Sequence, residues 1–372
     1  MDYFRQGSAS SLTYKSHRLF LPGSILLSVG VMLAAGGGSW DITNHLLNKP
    51  ETFFAPPHAV LYSGVGTSVA GALLVFFASR SMTGRIVWPA KLALAGIALL
   101  VSAGPVDFAW HSAYGLDGLF SPPHFVLVSG MVASSLGGLA SMVYYKSMSL
   151  RTRSGGSRVL ERINMHPALI VIGIVPLWLS LSGVVDMLTL PFSDTPFFKF
   201  NPDPASGVAI ATMAFPIVIA SCLCGASVLS GRRFGAMSLA GAAFLTTSAL
   251  TSIVPSEALH PTLLFYALSI IPIVAADAIM SYRFWRPFAI PVYAAGAVLG
   301  LTFIALYYPL VTHTFNEAIN PARIVWPSVT AEIYFDMITP ATYAVMAVPS
   351  AALGVAGAIA ANRIVGSRNM IM

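Results

Sequence analysis

The sequence predicts an all-α integral membrane protein of about ten transmembrane helices, arranged as repeated helical hairpins with both termini in the cytoplasm. Three observations predict it. Of 372 residues, 56% are hydrophobic and only 9% charged, against about 25% charged in ordinary soluble domains. Apolar runs of about 20 residues, each enough to cross a hydrocarbon core of roughly 30 Å, recur along the chain. The basic residues fall almost entirely into alternate loops. With 14 acids and 20 bases over this length, a soluble domain of ordinary surface chemistry is excluded. So is a long disordered tract, and no nucleic-acid partner is expected; the medium that the chain meets is the lipid bilayer.

In chain order, residues 1–18 form a polar, basic cytoplasmic segment. The first apolar run is longer than a signal-peptide core and lacks a cleavage site, so it is read as helix one. Spans are expected at 19–45, 58–79, 86–111 and 124–146, which make residues 19–146 a tandem pair of hairpins. A basic cytoplasmic loop, 147–165, follows. A six-helix region, 166–364, holds spans at 166–190, 204–229, 235–254, 260–281, 287–312 and 338–362, and residues 365–372 form a cytoplasmic tail. Cys222 and Cys224 leave no room for a disulfide framework or a cysteine-based metal site, and read as small packing residues of one helix.

The loops fix the orientation. Arg5, Lys15 and Arg18 precede the first span, Arg80, Arg85 and Lys91 lie between the second and third, and Lys146, Arg151, Arg153, Arg158 and Arg162 follow the fourth. Arg232, Arg233, Arg283, Arg286, Arg363 and Arg368 mark the later even-numbered ends, so 17 of the 20 bases share one side. By the positive-inside rule that side is cytoplasmic. Eleven of the 14 acids fall on or near the other side, which makes the outer face locally acidic.

Two stretches repeat without a gap: GSWDITNHLLNKPETFFAPPHAVLYSG at 38–64 and GPVDFAWHSAYGLDGLFSPPHFVLVSG at 104–130. Each carries an Asp, a His four residues on, an acid ten on, and a Pro-Pro-His ending seventeen on. The matched sets are Asp41, His45, Glu51, His58 and Asp107, His111, Asp117, His124, which use four of the eight histidines. Asp and His at i and i+4 share one helix face. The Pro-Pro pair suits the first turn of the next helix. A hairpin so built aims one carboxylate and two imidazoles at a common point, the two-histidine, one-carboxylate pattern of metal sites with open positions. The competing reading is a pair of interfacial helix caps. Ionisable groups kept at a membrane edge are costly and mark function, so metal binding at Asp41, His45, His58 and at Asp107, His111, His124 is the expectation. The sets make either two mononuclear sites or one dinuclear site.

A third copy is degenerate. Asp186 follows the same Gly-x-x-Asp pattern and Asp203 lies seventeen residues on, but Leu190 stands where the first histidine would be, so no metal is expected there. Glu257, His260, His313, Glu317 and Asp336 read as caps or loop residues of the outer side, and His17 and His166 as interfacial residues of the inner side. Asp277, toward the inner end of its helix, is a weak candidate for an ion or proton path.

Asp107-x3-His111-x12-His124, with Trp110 before the first histidine, Asp117 ten after the aspartate and Ser121-Pro122-Pro123 leading into the last histidine, resembles the copper-site motif in the C subunit of particulate methane and ammonia monooxygenases. The match covers residues 104–130 and, through the repeat, 38–64. The resemblance implies copper held by Asp107, His111 and His124 at the outer membrane edge, as the catalytic set, and by Asp41, His45 and His58. It also implies partner subunits, or a cupredoxin-like donor of copper or electrons. The chain departs from that family in being longer, in having more helices, in carrying no cupredoxin-like domain and in keeping a second complete Asp-His-His set.

On ligand type alone iron(II) and zinc suit the set as well as copper. The expected function is a copper-dependent oxidoreductase of the cell membrane, a monooxygenase or one of its subunits, acting with O2 on a small apolar substrate. Glu51, Asp117 and Trp110 would support the ligands from outside, the carboxylates by orienting the imidazoles or supplying protons. The alternatives are a membrane protein that binds or transports copper, iron or zinc without redox turnover, and a structural subunit whose sites only fold the hairpins. A homo-oligomer is compatible with either.

Overall fold

The computed structural model describes residues 3–46, 49, 52, 54–115, 119–153, 164–189, 204–282, 289–302 and 340–366. Ten α-helices account for nearly all of them, and no strand occurs among the described residues. They are α1 (Tyr3–Leu46), α2 (Pro56–Thr83), α3 (Trp88–Tyr114), α4 (Pro122–Arg153), α5 (Pro167–Thr189), α6 (Pro204–Leu229), α7 (Ala236–Ile253), α8 (Leu263–Ser281), α9 (Ile290–Thr302) and α10 (Pro340–Gly366). A 3₁₀ turn, Glu257–Thr262, leads into α8. Among the described residues, nine helices are long and apolar enough to cross a membrane. The span expected at 287–312 is represented by the 13-residue α9, and its continuation lies outside the described residues.

Helix α1 begins at Tyr3 rather than at the apolar boundary near residue 19, because a helix needs hydrogen bonds but not apolar side chains to continue past a membrane edge. Likewise α4 runs on to Arg153, into the stretch expected to be loop. Prolines set several starts: Pro56 and Pro57 open α2, and Pro89 stands in the first turn of α3. At these positions the missing N–H has no helical partner to lose.

The most extensive helix pairings are α1 with α2 and α3 with α4. Glycine lets both pairs close. A Cβ placed on Gly30 would stand 2.4 Å from the Ser68 backbone nitrogen, on Gly64 2.3 Å from that of Ala34, and on Gly71 2.2 Å from that of Leu27. The second hairpin repeats the arrangement 66 residues later: Gly96 meets Ser134 N at 2.4 Å, Gly130 meets Leu100 N at 2.8 Å and Gly137 meets Ala93 N at 2.6 Å. Spaced by seven, Gly64 and Gly71 lie along one face of α2, and small residues on such a face are the means by which membrane helices bring backbones together. Helices α9 and α10 pack in the same way through Gly296, Gly300 and Gly354.

The first four helices therefore form two hairpins joined through α1–α4 and α2–α3 contacts, and α5 connects them to the remaining helices. The largest buried cluster lies in that second part, around Trp178, Leu223, Met237 and Leu299. Trp178 of α5 stacks on Phe244 of α7 with ring centroids 3.7 Å apart. Cys222 and Cys224 are buried, free and part of this core, as small packing residues would be.

Candidate metal centre

Because the chain runs up α1 and α3 and back down α2 and α4, Asp41, His45, Asp107 and His111 at helix ends meet His58 and His124 at helix starts. The two proline pairs put His58 and His124 on the third residue of α2 and α4. Ser121 caps α4, its Oγ accepting from the His124 N–H at 3.4 Å. Gly115, at φ 78°, ends α3 in a conformation that a side chain would strain. There its N–H donates to the His111 carbonyl at 2.9 Å and its own carbonyl stands 3.0 Å from His111 Nδ1.

The carboxylates and imidazoles converge in both hairpins. Asp107 Oδ1 lies 3.3 Å from His111 Nε2 and 3.2 Å from His124 Nε2. In the first hairpin the contacts are divided: His58 Nε2 stands 2.9 Å from Asp41 Oδ1 and His45 Nε2 stands 3.5 Å from Asp41 Oδ2. Among the described residues, Asp107, His111 and His124 form the one group of three that offers a ligand atom from each within 4.8 Å of the others. Tetrahedral ligands at about 2.1 Å from a metal stand roughly 3.4 Å apart, close to the two Asp107–imidazole distances in the second hairpin. All these side chains are partly shielded, with Asp41 17% and Asp107 31% exposed.

The far side of each ring fixes its proton. His58 Nδ1 is 2.9 Å from the Thr52 carbonyl, His111 Nδ1 is 3.0 Å from that of Gly115, and His124 Nδ1 is 3.2 Å from that of Leu119. A carbonyl only accepts, so each Nδ1 donates, and a neutral ring then turns a bare Nε2 lone pair toward the aspartate. Asp41 Oδ1 and Asp107 Oδ1 are buried and face these Nε2 atoms at 2.9–3.3 Å. An acceptor oxygen facing two such nitrogens is stable only when a cation is shared among them, either a proton on one Nε2, which makes an aspartate–imidazolium pair, or a metal ion in its place. Carbonyl-anchored imidazoles are also the usual outer support of metal-bound histidine.

Tyr62 of α2 stacks on His58, with centroids 5.8 Å apart, and lies within electrostatic reach of both Asp41 and Asp107, so the two sets are neighbours. Trp110 packs against Tyr114 at 4.6 Å on the last turns of α3. Glu51 and Asp117 lie outside the described residues, as do His313, Glu317 and Asp336. In the degenerate copy, Asp186 ends α5 with a buried Oδ1 that accepts no hydrogen bond among the described residues, close to Tyr266, while Leu190 and Asp203 lie outside them. Glu257 and His260 are exposed in the 3₁₀ turn.

Two bonds tether the first hairpin to the C-terminal helices. Ser39, one half-turn before Asp41, shares a hydrogen bond with Thr251 of α7 at 3.1 Å, and Lys49 Nζ donates to the Pro255 carbonyl. The position equivalent to Ser39 in the second hairpin is Pro105, which has no hydroxyl.

Asp277, the weak candidate for an ion or proton path, has a structural task. Its Oδ2 accepts from Gly235 N at 2.9 Å, Ser238 N at 2.9 Å and Ser238 Oγ at 2.7 Å, so a carboxylate on α8 caps the start of α7. The residue is fully buried. Replacing Asp277 by Ala strands these donors, each worth about 1–3 kcal/mol when left buried and unpaired. The variant is expected to melt well below the parent in detergent while retaining its metal content per folded molecule; equal melting would show that the cap is dispensable.

The sequence reading missed the Gly115, Thr52 and Leu119 carbonyls and the glycine pairs. The 66-residue offset carried to its full length would have found the glycines, since Gly30, Gly64 and Gly71 recur as Gly96, Gly130 and Gly137. Compared with family models, curated proteins and solved structures, the chain matches none. The likeness to the monooxygenase C subunit thus rests on the motif residues alone.

Proposed function

We propose that this protein is a membrane metalloprotein in which Asp107, His111 and His124, and in the neighbouring hairpin Asp41, His45 and His58, bind copper and support oxidoreductase chemistry, a monooxygenation of a small apolar substrate with O2. The observation that carries the proposal is the Asp107 oxygen facing two Nε2 atoms whose partner nitrogens are committed to backbone carbonyls. Copper when bound would supply the redox couple and the open coordination position that such chemistry needs. The residues supply the rest. Asp107 contributes the charge that offsets a cation, and the Gly115 and Leu119 carbonyls hold the rings with Nε2 inward. Phe108 and Phe125, beside the ligands in sequence, are exposed on the apolar exterior, which suits lateral entry of an apolar substrate from lipid.

The one-sided distribution of bases supports an outward-facing site in a cell membrane, accessible to a cupredoxin-like donor or partner subunit. Asp277, one of the polar residues that the transport alternative would use, has its Oδ2 engaged in capping α7.

The test is to purify the full chain in detergent, determine bound metals, and follow the optical and electron paramagnetic resonance spectra through reduction and exposure to O2. Copper near stoichiometric amounts with a spectrum that cycles is expected. Zinc alone, or copper inert to reductant and O2, supports metal binding without turnover and ends the oxidoreductase reading; absence of any transition metal after supplementation ends the metal reading as well.

A further inference from the structure

The opposite end of the bundle holds a second feature that the metal chemistry leaves unused. Helix α4 carries His124 at one end and Lys146 at the other, about 33 Å apart at 1.5 Å per residue, so Lys146 stands one membrane thickness from the Asp-His-His set. Beside it, where α1, α4 and the start of α5 meet, is a cavity of about 270 Å³. Its floor is apolar, with Leu21, Met142, Met165 and Leu169. The polar groups of its lining are Lys146, Ser149, His166 and Tyr145.

The chemistry of these groups favours an anion. Lys146 makes no ion pair or hydrogen bond among the described residues, although its side chain is only partly exposed. His166 Nδ1 accepts from the Ala168 N–H at 3.3 Å, which leaves any ring proton on Nε2, as a donor. Ser149 Oγ donates to the Tyr145 carbonyl at 3.0 Å and keeps its lone pairs. An ammonium without a partner among the described residues and an imidazole N–H, beside leucine and methionine, match a molecule with an anionic head and an aliphatic tail. At a helix end one membrane thickness from the opposite face, that molecule is at hand in the bilayer itself. Basic pockets between transmembrane helices on the cytoplasmic side hold lipid head groups in this manner.

We infer that the cavity between α1, α4 and α5 is a binding site for an anionic phospholipid, its phosphate on Lys146 and His166 and its first methylenes on Leu21, Met142, Met165 and Leu169. The site differs from general attraction of basic loops to a charged surface because it couples one lysine to a shaped apolar recess.

The test uses the full chain in detergent, titrated with phosphatidylglycerol, with phosphatidylcholine, and with inorganic phosphate. Retained lipid is measured by mass spectrometry after gel filtration, alongside the thermal midpoint. Phosphatidylglycerol is expected to be retained and to raise the midpoint by several degrees, with phosphatidylcholine giving neither effect. Lys146→Gln should weaken retention about fivefold, the share of one basic residue at a lipid surface, and Lys146→Arg should keep it. Lys91→Gln, at an exposed lysine in the first turn of α3, serves as the control for net charge and should leave retention unchanged. Equal retention of phosphatidylcholine, an equal loss in the Lys91 and Lys146 variants, or the same midpoint shift with inorganic phosphate alone would each overturn the inference.

Discussion

Replacing Asp107 by alanine is expected to lower metal affinity at the second hairpin by more than 100-fold, beyond the 10–100-fold typical of losing an outer-shell partner, and to leave the metal-free protein as stable as the parent or more stable. The two effects have one cause. Asp107 Oδ1 is buried and faces two Nε2 atoms at 3.2 and 3.3 Å. Without a metal, and at a pH where both imidazoles are neutral, that arrangement is unfavourable, and deleting the carboxylate relieves it. With a cation, the same atom is the only charged ligand of its set. A helix cap behaves in the opposite way: its removal destabilises the protein and leaves metal content unchanged. Metal content by plasma mass spectrometry and thermal unfolding with and without chelator separate the cases. Asp41→Ala provides the internal comparison, because Asp41 divides its contacts between two oxygens. The second hairpin should keep its metal in that variant. Loss of all metal from either single variant would instead indicate one shared dinuclear site.

Gly64→Val is expected to abolish folding into the membrane, whereas Gly66→Ala, two residues away, should be silent. A Cβ on Gly64 would stand 2.3 Å from the Ala34 backbone nitrogen and 2.6 Å from the Gly30 carbonyl oxygen, atoms that move only if the two helices part. Gly66 has nothing within 4 Å. Overpacking of a side chain into a close-packed core costs up to about 3 kcal/mol even where side chains can adjust, and here the obstacle is backbone along the closest helix pair. The measurement is the yield of monodisperse protein in detergent with its thermal midpoint. A normal yield for Gly64→Val would show that α1 and α2 tolerate wider separation.

Much of this architecture can be read from residue order, and the parts that cannot have physical reasons. The spans are legible because a hydrocarbon core demands about 20 apolar residues and tolerates few charges. The Asp-His-His sets are legible because i and i+4 share a helix face and a proline pair starts a helix, so that the ligands sit in one hairpin and depend on local geometry. By contrast, the role of Asp277 depends on α8 lying against the start of α7, 42 residues away from Gly235, and no periodicity encodes that pairing. The sharing of one Asp107 oxygen, against two of Asp41, follows from side-chain torsions that identical spacing does not distinguish. The helix starts differ from the apolar boundaries for a simpler reason: hydropathy reports where lipid ends, and hydrogen bonding continues past it, as at Tyr3 and Arg153.

The tether at Ser39 has a mechanical consequence. Its bond to Thr251, and that of Lys49 to Pro255, attach the turn bearing Asp41 to α7 and the segment after it, while Pro105 gives Asp107 no corresponding attachment. A tilt of α7 would pull directly on the first set. Two copies that share a sequence pattern are thereby attached differently: the first set is bonded at its own turn to α7 and the segment after it, whereas the second hairpin meets the later helices through α4 and α5, as at Ser135 and Ser180.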